Sequence, residues 1–142
     1  MTATPDRVAA ALSGISGILV TPLDTQDNPV PQRLQPIIDR CAAAGVDGLT
    51  INGNTSEFYS LTLAEAERMQ AEVPGLIAGR TVTIAGVGRS VKDAVHLASR
   101  AKADGADAIM VHQPPDPFMA PRGVIEYVKR VADATVRRGI FP

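Results

Sequence analysis

Short apolar runs bounded by Gly, Asn or Pro recur four times along the chain, and a segment with helical spacing follows each. The runs are GILVTP from Gly17, DGLTING from Asp47, TVTIAGV from Thr81 and DAIMVHQ from Asp107. They start about 30 residues apart, the length of one strand and helix unit. Because they are almost continuously apolar, they indicate parallel strands covered on both faces. The pattern predicts an α/β fold built from a parallel (β/α) repeat, as an open sheet or a barrel.

Residues suited to helix amino ends precede four of the helical segments: Thr4 with Pro5, Thr62 with Glu65, Ser90 with Asp93, and Pro121. Thr and Ser side chains cap exposed backbone amides, and proline fits the first turn. The helix after the first strand is expected to end near Ala44. Pro74 and Gly75 are expected to bend or end the next helix early.

Two similar stretches of sequence, called the echo below, support the (β/α) repeat. AAGVDGLTI from Ala43 and ADGADAIMV from Ala103 share a helix end, a glycine, an Asp and a strand start. Their spacing is two units of the same period. No linker divides residues 1–142, so we expect one domain of roughly four units behind a short leading helix. A fifth strand is predicted at 139–141, and since a complete barrel takes about 250 residues, the pattern is that of half a barrel.

Composition narrows the possible partners. The chain has 142 residues, 45% of them hydrophobic and 20% charged, which is typical of a soluble globular protein. A net charge of -1 and 4% aromatic residues argue against nucleic acid. The single cysteine, Cys41, cannot form an internal disulfide, and no apolar run is long enough for a membrane span. We therefore expect a cytoplasmic protein without a membrane or nucleic-acid partner.

Candidate chemistry lies where the predicted strands end. In parallel α/β folds the loops at the carboxyl ends of the strands form the ligand site. After the second strand, Gly53 stands beside Asn54, Thr55 and Ser56, a stretch that offers backbone amides and hydroxyls to a small carboxylate. The alternative is that these residues only form a turn before the next helix. Glu57 is expected to be buried and bonded to neighbouring amides.

The later loops give weaker signals. Gly86 and Gly88 lack the third glycine of a dinucleotide motif, and close packing would explain them equally well. Arg89 could reach a carboxylate or face solvent. His112, at the end of the fourth strand, could bind substrate or handle a proton, or make an ordinary loop hydrogen bond. His96 is expected in mid-helix, so we expect neither a metal site nor a bound cofactor.

Four segments together resemble a known family. GILVTPLDTQDNPV, AAGVDGLTINGNTSEFYSLTLAE, TVTIAGVG and AKADGADAIMV are similar, in order and spacing, to the dihydrodipicolinate synthase and N-acetylneuraminate lyase family. The resemblance implies the amino-terminal half of a (β/α)8 TIM barrel, typically in a homo-oligomer. It also implies a lyase that forms a lysine Schiff base with pyruvate or a related 2-oxo acid.

The resemblance assigns roles to the loop after the second strand. The family's Gly-Thr-Thr-Gly-Glu corresponds to residues 53–57 here, so Thr55 keeps the hydroxyl that binds the substrate carboxylate. Gly53 and Ser56 become substrate-binding positions, and Asn54 replaces a threonine of the proton relay. Because an amide cannot relay a proton as a hydroxyl does, Asn54 departs from the family at a catalytic position. After the fourth strand, His112 begins a segment without the family's tyrosines.

The family's Schiff-base lysine has no counterpart among these residues. Lys92, Lys102 and Lys129 all fall in predicted helices, outside a parallel fold. One hypothesis is therefore a fragment of a Schiff-base aldolase or lyase that is inactive alone. The alternatives are a non-catalytic half-barrel module that associates with a second copy, and a small phosphate- or nucleotide-binding α/β protein.

Overall fold

A computed structural model describes residues 3–136 and shows four parallel strands in one sheet, in the order β1-β2-β3-β4. The helices and strands are α1 Pro5–Leu12, β1 Ser16–Ile18, α2 Gln35–Ala43, β2 Gly48–Ile51, α3 Leu63–Ile77, β3 Val82–Val87, α4 Val91–Ala101, β4 Ala108–Val111 and α5 Pro121–Val136. Short 3-10 turns occupy Pro31–Leu34, Asn54–Ser56 and Phe58–Ser60. The predicted parallel α/β repeat is confirmed, whereas the strand predicted at 139–141 lies outside the described residues.

The central and outer strands differ in burial. Every residue of β2 and β3 is buried, as expected for strands covered on both faces. The outer strands β1 and β4 each pair with one neighbour and are partly exposed. The main core lies between the sheet and helices α2 to α5 and includes Leu34, Ile38, Leu49, Phe58, Met69, Val73, Leu97 and Val131. Within residues 3–136 the sheet therefore has a buried centre, and β1 and β4 form its two edges.

The first strand is shorter than predicted. The apolar run from Gly17 to Pro22 suggested six residues, but β1 ends at Ile18, with one further bond from the Leu19 amide to the Thr50 carbonyl at 2.9 Å. β2 is the only neighbour of β1 within the described sheet, and β2 itself ends at Ile51. The later residues of the run have no strand to pair with, so the chain turns away.

Helix ends follow the capping residues except near Pro74. Thr62 and Glu65 form the predicted capping box at the start of α3. The expected early end of α3 is wrong, because the helix continues through Pro74 to Ile77. Proline in the last turn removes a single helical donor, and the Ala78 amide still bonds to the Pro74 carbonyl at 2.9 Å.

The internal echo corresponds to one structural motif used twice. The two glycines of the echo, Gly45 and Gly105, both have positive φ angles, 75° and 99°. After each glycine the chain enters a strand beside an aspartate that accepts a hydrogen bond from a backbone amide. Asp47 accepts from Ile15 at 2.8 Å and Asp107 from Thr83 at 2.9 Å. The echo therefore fixes how the chain enters β2 and β4.

Candidate functional site

The turn after β2 is fixed by Gly53 and Ser56. A Cβ on Gly53 would lie 2.4 Å from Ile18 Cγ2, so any other residue would require the Ile18 side chain to move. The buried Ser56 hydroxyl accepts from the Gly53 amide at 3.0 Å and donates to the Leu19 carbonyl. Thr21 Oγ1 donates to the Ser56 carbonyl at 2.7 Å. Of the predicted substrate-binding residues, Gly53 and Ser56 are thus committed to the shape of the turn.

Asn54 and Thr55, in contrast, are exposed at the crest of the same turn. They open the 3-10 turn, whose hydrogen bonds use the amides of Ser56 and Glu57 and leave the first two amides without an intrahelical partner. Within residues 3–136 their side chains bond to no other residue. Amide and hydroxyl donors therefore stand together at the carboxyl end of β2, where a carboxylate could be held.

Glu57 does not take the buried position expected for it. Its side chain is exposed, and its backbone has a left-handed φ of 60°. Because this conformation reverses the chain between two 3-10 turns, the carboxylate faces solvent and the next residue, Phe58, enters the core. Solvent exposure also spares the carboxylate the cost of desolvation.

His112 reaches across the sheet to the start of this turn. The side chain is 4% exposed, and its Nε2 lies 2.7 Å from the Asn52 carbonyl oxygen. Since a carbonyl can only accept, Nε2 is the protonated ring nitrogen. The hydrogen bond connects the end of β4 to the end of β2, over β3. Of the open possibilities for His112, the structure shows this loop hydrogen bond.

Gly86 in β3 and Gly88 directly after it make room for that contact. A Cβ on Gly86 would lie 2.1 Å from the Asn52 carbonyl oxygen and 2.8 Å from His112 Nε2. A Cβ on Gly88 would lie 3.0 Å from both His112 Cβ and Phe58 Cε1. Close packing therefore explains the two glycines without a nucleotide.

An aromatic and cationic stack completes this end of the sheet. The rings of Phe58 and His112 are stacked with centroids 4.7 Å apart, and the Arg89 guanidinium lies 5.1 Å from the Phe58 centroid. Arg89 Nη2 also donates to the Phe58 carbonyl at 2.9 Å, and Tyr59 Oη donates to the Gln113 carbonyl at 2.8 Å. The loops after β2, β3 and β4 are thereby joined. Arg89 packs against a neighbouring loop and does not simply face solvent.

Two tyrosines beside the stack remain hydrogen-bond donors. Burial raises the pKa of Tyr127 to about 12, with further increases from Tyr59 and Asp93. Burial also raises the pKa of Tyr59, against an opposing effect of the Arg89 charge. Tyr127 Oη lies 3.1 Å from the Arg89 carbonyl oxygen and donates to it. Both phenols are neutral at physiological pH, so they can hold loop carbonyls.

Sequence reasoning missed the contribution of Phe58 and Tyr59. Both follow the polar turn directly, and an aromatic pair after NGNTSE was the available signal. Their partners, His112 and Arg89, stand on other loops, and only the fold brings them together.

The lysines lie in the helical layer. Lys92 and Lys129 are exposed on α4 and α5, and Lys102 directly follows the end of α4. His96 is exposed in mid-helix, as predicted, and contacts Glu67. Within residues 3–136 no group of three or more His, Cys, Asp or Glu side chains could hold a metal ion. In the same range, no helix has the length and apolarity needed to cross a membrane.

A cavity of about 750 Å³ lies at the opposite, amino-terminal side of the sheet, between the ends of α3 and α4. Its charged side chains have protein partners, among them Asp104, which accepts from Gln70 at 2.9 Å. Arg7 donates to the Gly79 carbonyl at 2.8 Å, and Asp107 accepts from the Thr83 amide at 2.9 Å. The predicted site residues are not among those that line it. The cavity is therefore separate from the polar turn.

Comparisons with known proteins identify the family. Residues 11–140 match the Dihydrodipicolinate synthetase family. The chain is 30% identical over 122 residues to 4-hydroxy-tetrahydrodipicolinate synthase of Bacillus subtilis (strain 168), covering 85% of this chain and 42% of that protein. It is 34% identical over 108 residues to N-acetylneuraminate lyase of Salmonella paratyphi B, covering 75% and 36%. It thus spans less than half the length of these relatives.

Solved structures of related proteins also superpose on this chain. Dihydrodipicolinate synthase from Bacillus clausii superposes with a TM-score of 0.84 at 34% identity, covering 95% of this chain and 45% of that one. YagE from Escherichia coli K12, solved in complex with pyruvate, gives 0.82 at 26% identity, covering 87% and 42%. The expected half of a TIM barrel is confirmed. The chain belongs to the dihydrodipicolinate synthetase family and has the fold of less than half of its full-length members.

Proposed function

We propose that residues 1–142 form units one to four of a Schiff-base aldolase or lyase and supply its site for the carboxylate of pyruvate or a related 2-oxo acid. The observation that carries the proposal is the exposed pair Asn54 and Thr55 on a turn that Gly53 and Ser56 hold rigid. Its position at the carboxyl end of β2 is where barrel enzymes bind ligands. The pyruvate complex of the related YagE supports the ligand class.

Within this site Thr55 would donate its hydroxyl to the carboxylate, and the orphan amides of the turn would add further donors. Asn54 would orient the ligand through its amide, without relaying a proton. His112 would act from below the turn, because its Nε2 is already bonded to the Asn52 carbonyl. We further propose that the protein is cytoplasmic and associates with further copies of itself.

We place the Schiff-base nucleophile on residues outside this chain. An attacking amine must be deprotonated and reach the ligand from a fixed element, whereas Lys92 and Lys129 are exposed on the outer helices. The 142-residue chain is therefore expected to bind a 2-oxo acid without reacting with it.

Pyruvate binding tests the proposal directly. In an NMR titration of the 142-residue protein, we expect the amide signals of Asn54 and Thr55 to shift with pyruvate. Thr55→Val should weaken binding about tenfold, because the isosteric side chain loses one hydrogen bond to a charged group. Ser99→Ala, on the outer face of α4, is the matched control. Equal affinity of Thr55→Val and the native protein would reduce the turn to a structural role.

Borohydride reduction with pyruvate tests the assignment of the nucleophile. We expect mass spectrometry to find no adduct on this chain. A reduced adduct at Lys92, Lys102 or Lys129 would show that a helix lysine reaches the site and would overturn that part of the proposal.

A second candidate, a self-associating half-barrel module without catalysis, is favoured by the two open sheet edges. Large apolar side chains are exposed beside both edges: Ile15, Ile18 and Val20 near β1, and Phe118, Ile125 and Val128 after β4. Analytical ultracentrifugation separates the candidates in combination with the titration. A dimer that ignores pyruvate supports the module, whereas a species that binds pyruvate supports the enzyme fragment. The phosphate or nucleotide alternative rested on Gly86 and Gly88, and close packing accounts for both glycines.

A further inference from the structure

The geometry points to His112 as a positioning residue that holds the carboxylate-binding turn from beneath through the Asn52 carbonyl. Asn52 is 1% exposed and has a left-handed φ of 56°, a conformation that non-glycine residues adopt rarely. Asparagine is among the non-glycine residues that adopt it most often, so what needs explaining is the fixed orientation of the peptide group that follows. The hydrogen bond from His112 Nε2, at 2.7 Å, is made to this residue's own carbonyl oxygen.

The carbonyl of Asn52 is the last backbone group before the turn that presents Asn54 and Thr55. Because this carbonyl and the Gly53 amide share one peptide plane, rotation of the carbonyl would take the Gly53 N–H away from Ser56 Oγ. The Asn52 side chain cannot prevent this alone, because Nδ2 donates to the Ala66 carbonyl at 2.9 Å and Oδ1 is buried without a partner. His112 therefore adds a restraint at the Asn52 carbonyl to those that Ser56 provides within the turn.

The imidazole is itself held from three sides. Phe58 stacks on it at 4.7 Å with planes inclined by 18°, and the missing side chains of Gly86 and Gly88 leave the space that it fills. Arg89 in turn fixes Phe58 through its carbonyl and its ring. A packed ring with one donor aimed at one acceptor is suited to positioning, since it cannot follow the carbonyl into another conformation.

The donor and the ring can be separated by substitution. His112→Phe keeps a flat ring against Phe58 and loses the Nε2 donor. His112→Gln loses the ring and keeps an amide donor at a similar reach. His96→Phe, at the exposed histidine of α4, is the matched control.

Hydrogen exchange in the protein without ligand is the first measurement. We expect His112→Phe to speed exchange of the Ser56 and Glu57 amides about tenfold, the effect of one lost hydrogen bond on local opening. His112→Gln should restore most of the protection, and His96→Phe should leave it unchanged. Equal loss in both His112 variants would assign the effect to ring packing and overturn the proposal, as would unchanged exchange in His112→Phe.

Imidazole nitrogen NMR on the native protein is the second measurement and needs no variant. The proposal requires the proton on Nε2, so the Nδ1–H tautomer would overturn it even if His112→Phe fails to fold.

Pyruvate affinity is the third measurement. It alone rests on the proposed function. His112→Phe should weaken binding about tenfold, with His112→Gln close to native. Faster exchange together with weaker binding supports both ideas. Faster exchange in a protein that never binds pyruvate supports the role of His112 and sinks the proposed function. Unchanged affinity despite faster exchange would overturn the claim that the restraint serves the ligand.

Discussion

At the amino ends of β2 and β4 an aspartate holds a neighbouring backbone amide, whereas at the carboxyl end of β2 the packed ring of His112 holds a backbone carbonyl. Asp47 and Asp107 accept from amides of neighbouring segments at 2.8 and 2.9 Å. The glycines that precede them, Gly45 and Gly105, take positive φ angles without strain, and Ala78, just before β3, is the one non-glycine residue with a positive φ at this end among residues 3–136.

The carboxyl ends show the opposite arrangement. Asn52, Glu57 and Arg89 have φ angles of 56°, 60° and 75°, where glycine would be easier to accommodate. Two buried polar atoms at this end, Asn52 Oδ1 and Arg89 Nε, have no partner. Such strain persists only where the surroundings enforce it, and it is concentrated at functional sites. Among residues 3–136, most non-glycine residues with positive φ angles therefore lie at the carboxyl ends of the strands.

The largest expected effect is at Gly86, in the packed carboxyl end. Gly86→Ala would place a methyl group 2.1 Å from the Asn52 carbonyl oxygen, so backbone must move. We expect a loss of about 3 kcal/mol in the free energy of unfolding, measured with urea. Gly75→Ala is the matched control, since its Cβ would meet nothing within 4 Å and lies in α3. The control should gain about 0.5 kcal/mol. Similar stability of the two variants would mean that the carboxyl end is loosely packed.

A smaller effect is expected at the amino ends. Asp107→Ala removes the acceptor of the Thr83 amide and of the Ala3 amide and should cost about 2 kcal/mol. Asp47→Ala removes one acceptor, for the more exposed Ile15 amide, and should cost about 1 kcal/mol. Chemical denaturation of both variants measures the order. If Asp47→Ala proves the more damaging, the two copies of the echo are not equivalent in the way that their hydrogen bonds indicate.

Much of the fold could be predicted because it depends on local pattern. Capping spacing located the start of α3 at Thr62, and the echo located the entries to β2 and β4. The length of β1 could not be read in this way, because it depends on where the neighbouring strand stops. The continuation of α3 past Pro74 likewise depends on one hydrogen bond in its last turn, from the Ala78 amide to the Pro74 carbonyl.

The candidate site was predicted less completely, for a physical reason. The turn around Gly53 is contiguous in sequence, so its residue types indicated its geometry. The group that restrains it, His112, is separated from Asn52 by 60 residues and meets it only across β3. A histidine at a strand end has many possible partners, and only the fold selects one. The same holds for Arg89, whose partner Phe58 stands on another loop.

The smallest effect concerns a carboxylate in the capping box of α3, at the carboxyl side of the sheet. Glu65 accepts from the Thr62 amide, which is the main cause of its lowered pKa, and from the Thr62 hydroxyl. Because the folded pKa lies below the ordinary 4.5, this carboxylate stabilises the fold above that pH, and its contribution is lost as the pH falls through the folded value. Glu65→Gln keeps a capping oxygen without titrating. In urea unfolding between about pH 5 and pH 3, the native protein should therefore lose stability relative to Glu65→Gln. Thr62→Ala, which removes the other half of the box, should cost about 1 kcal/mol at neutral pH. A constant difference between the native protein and Glu65→Gln across this range would show that the carboxylate adds nothing beyond a neutral cap.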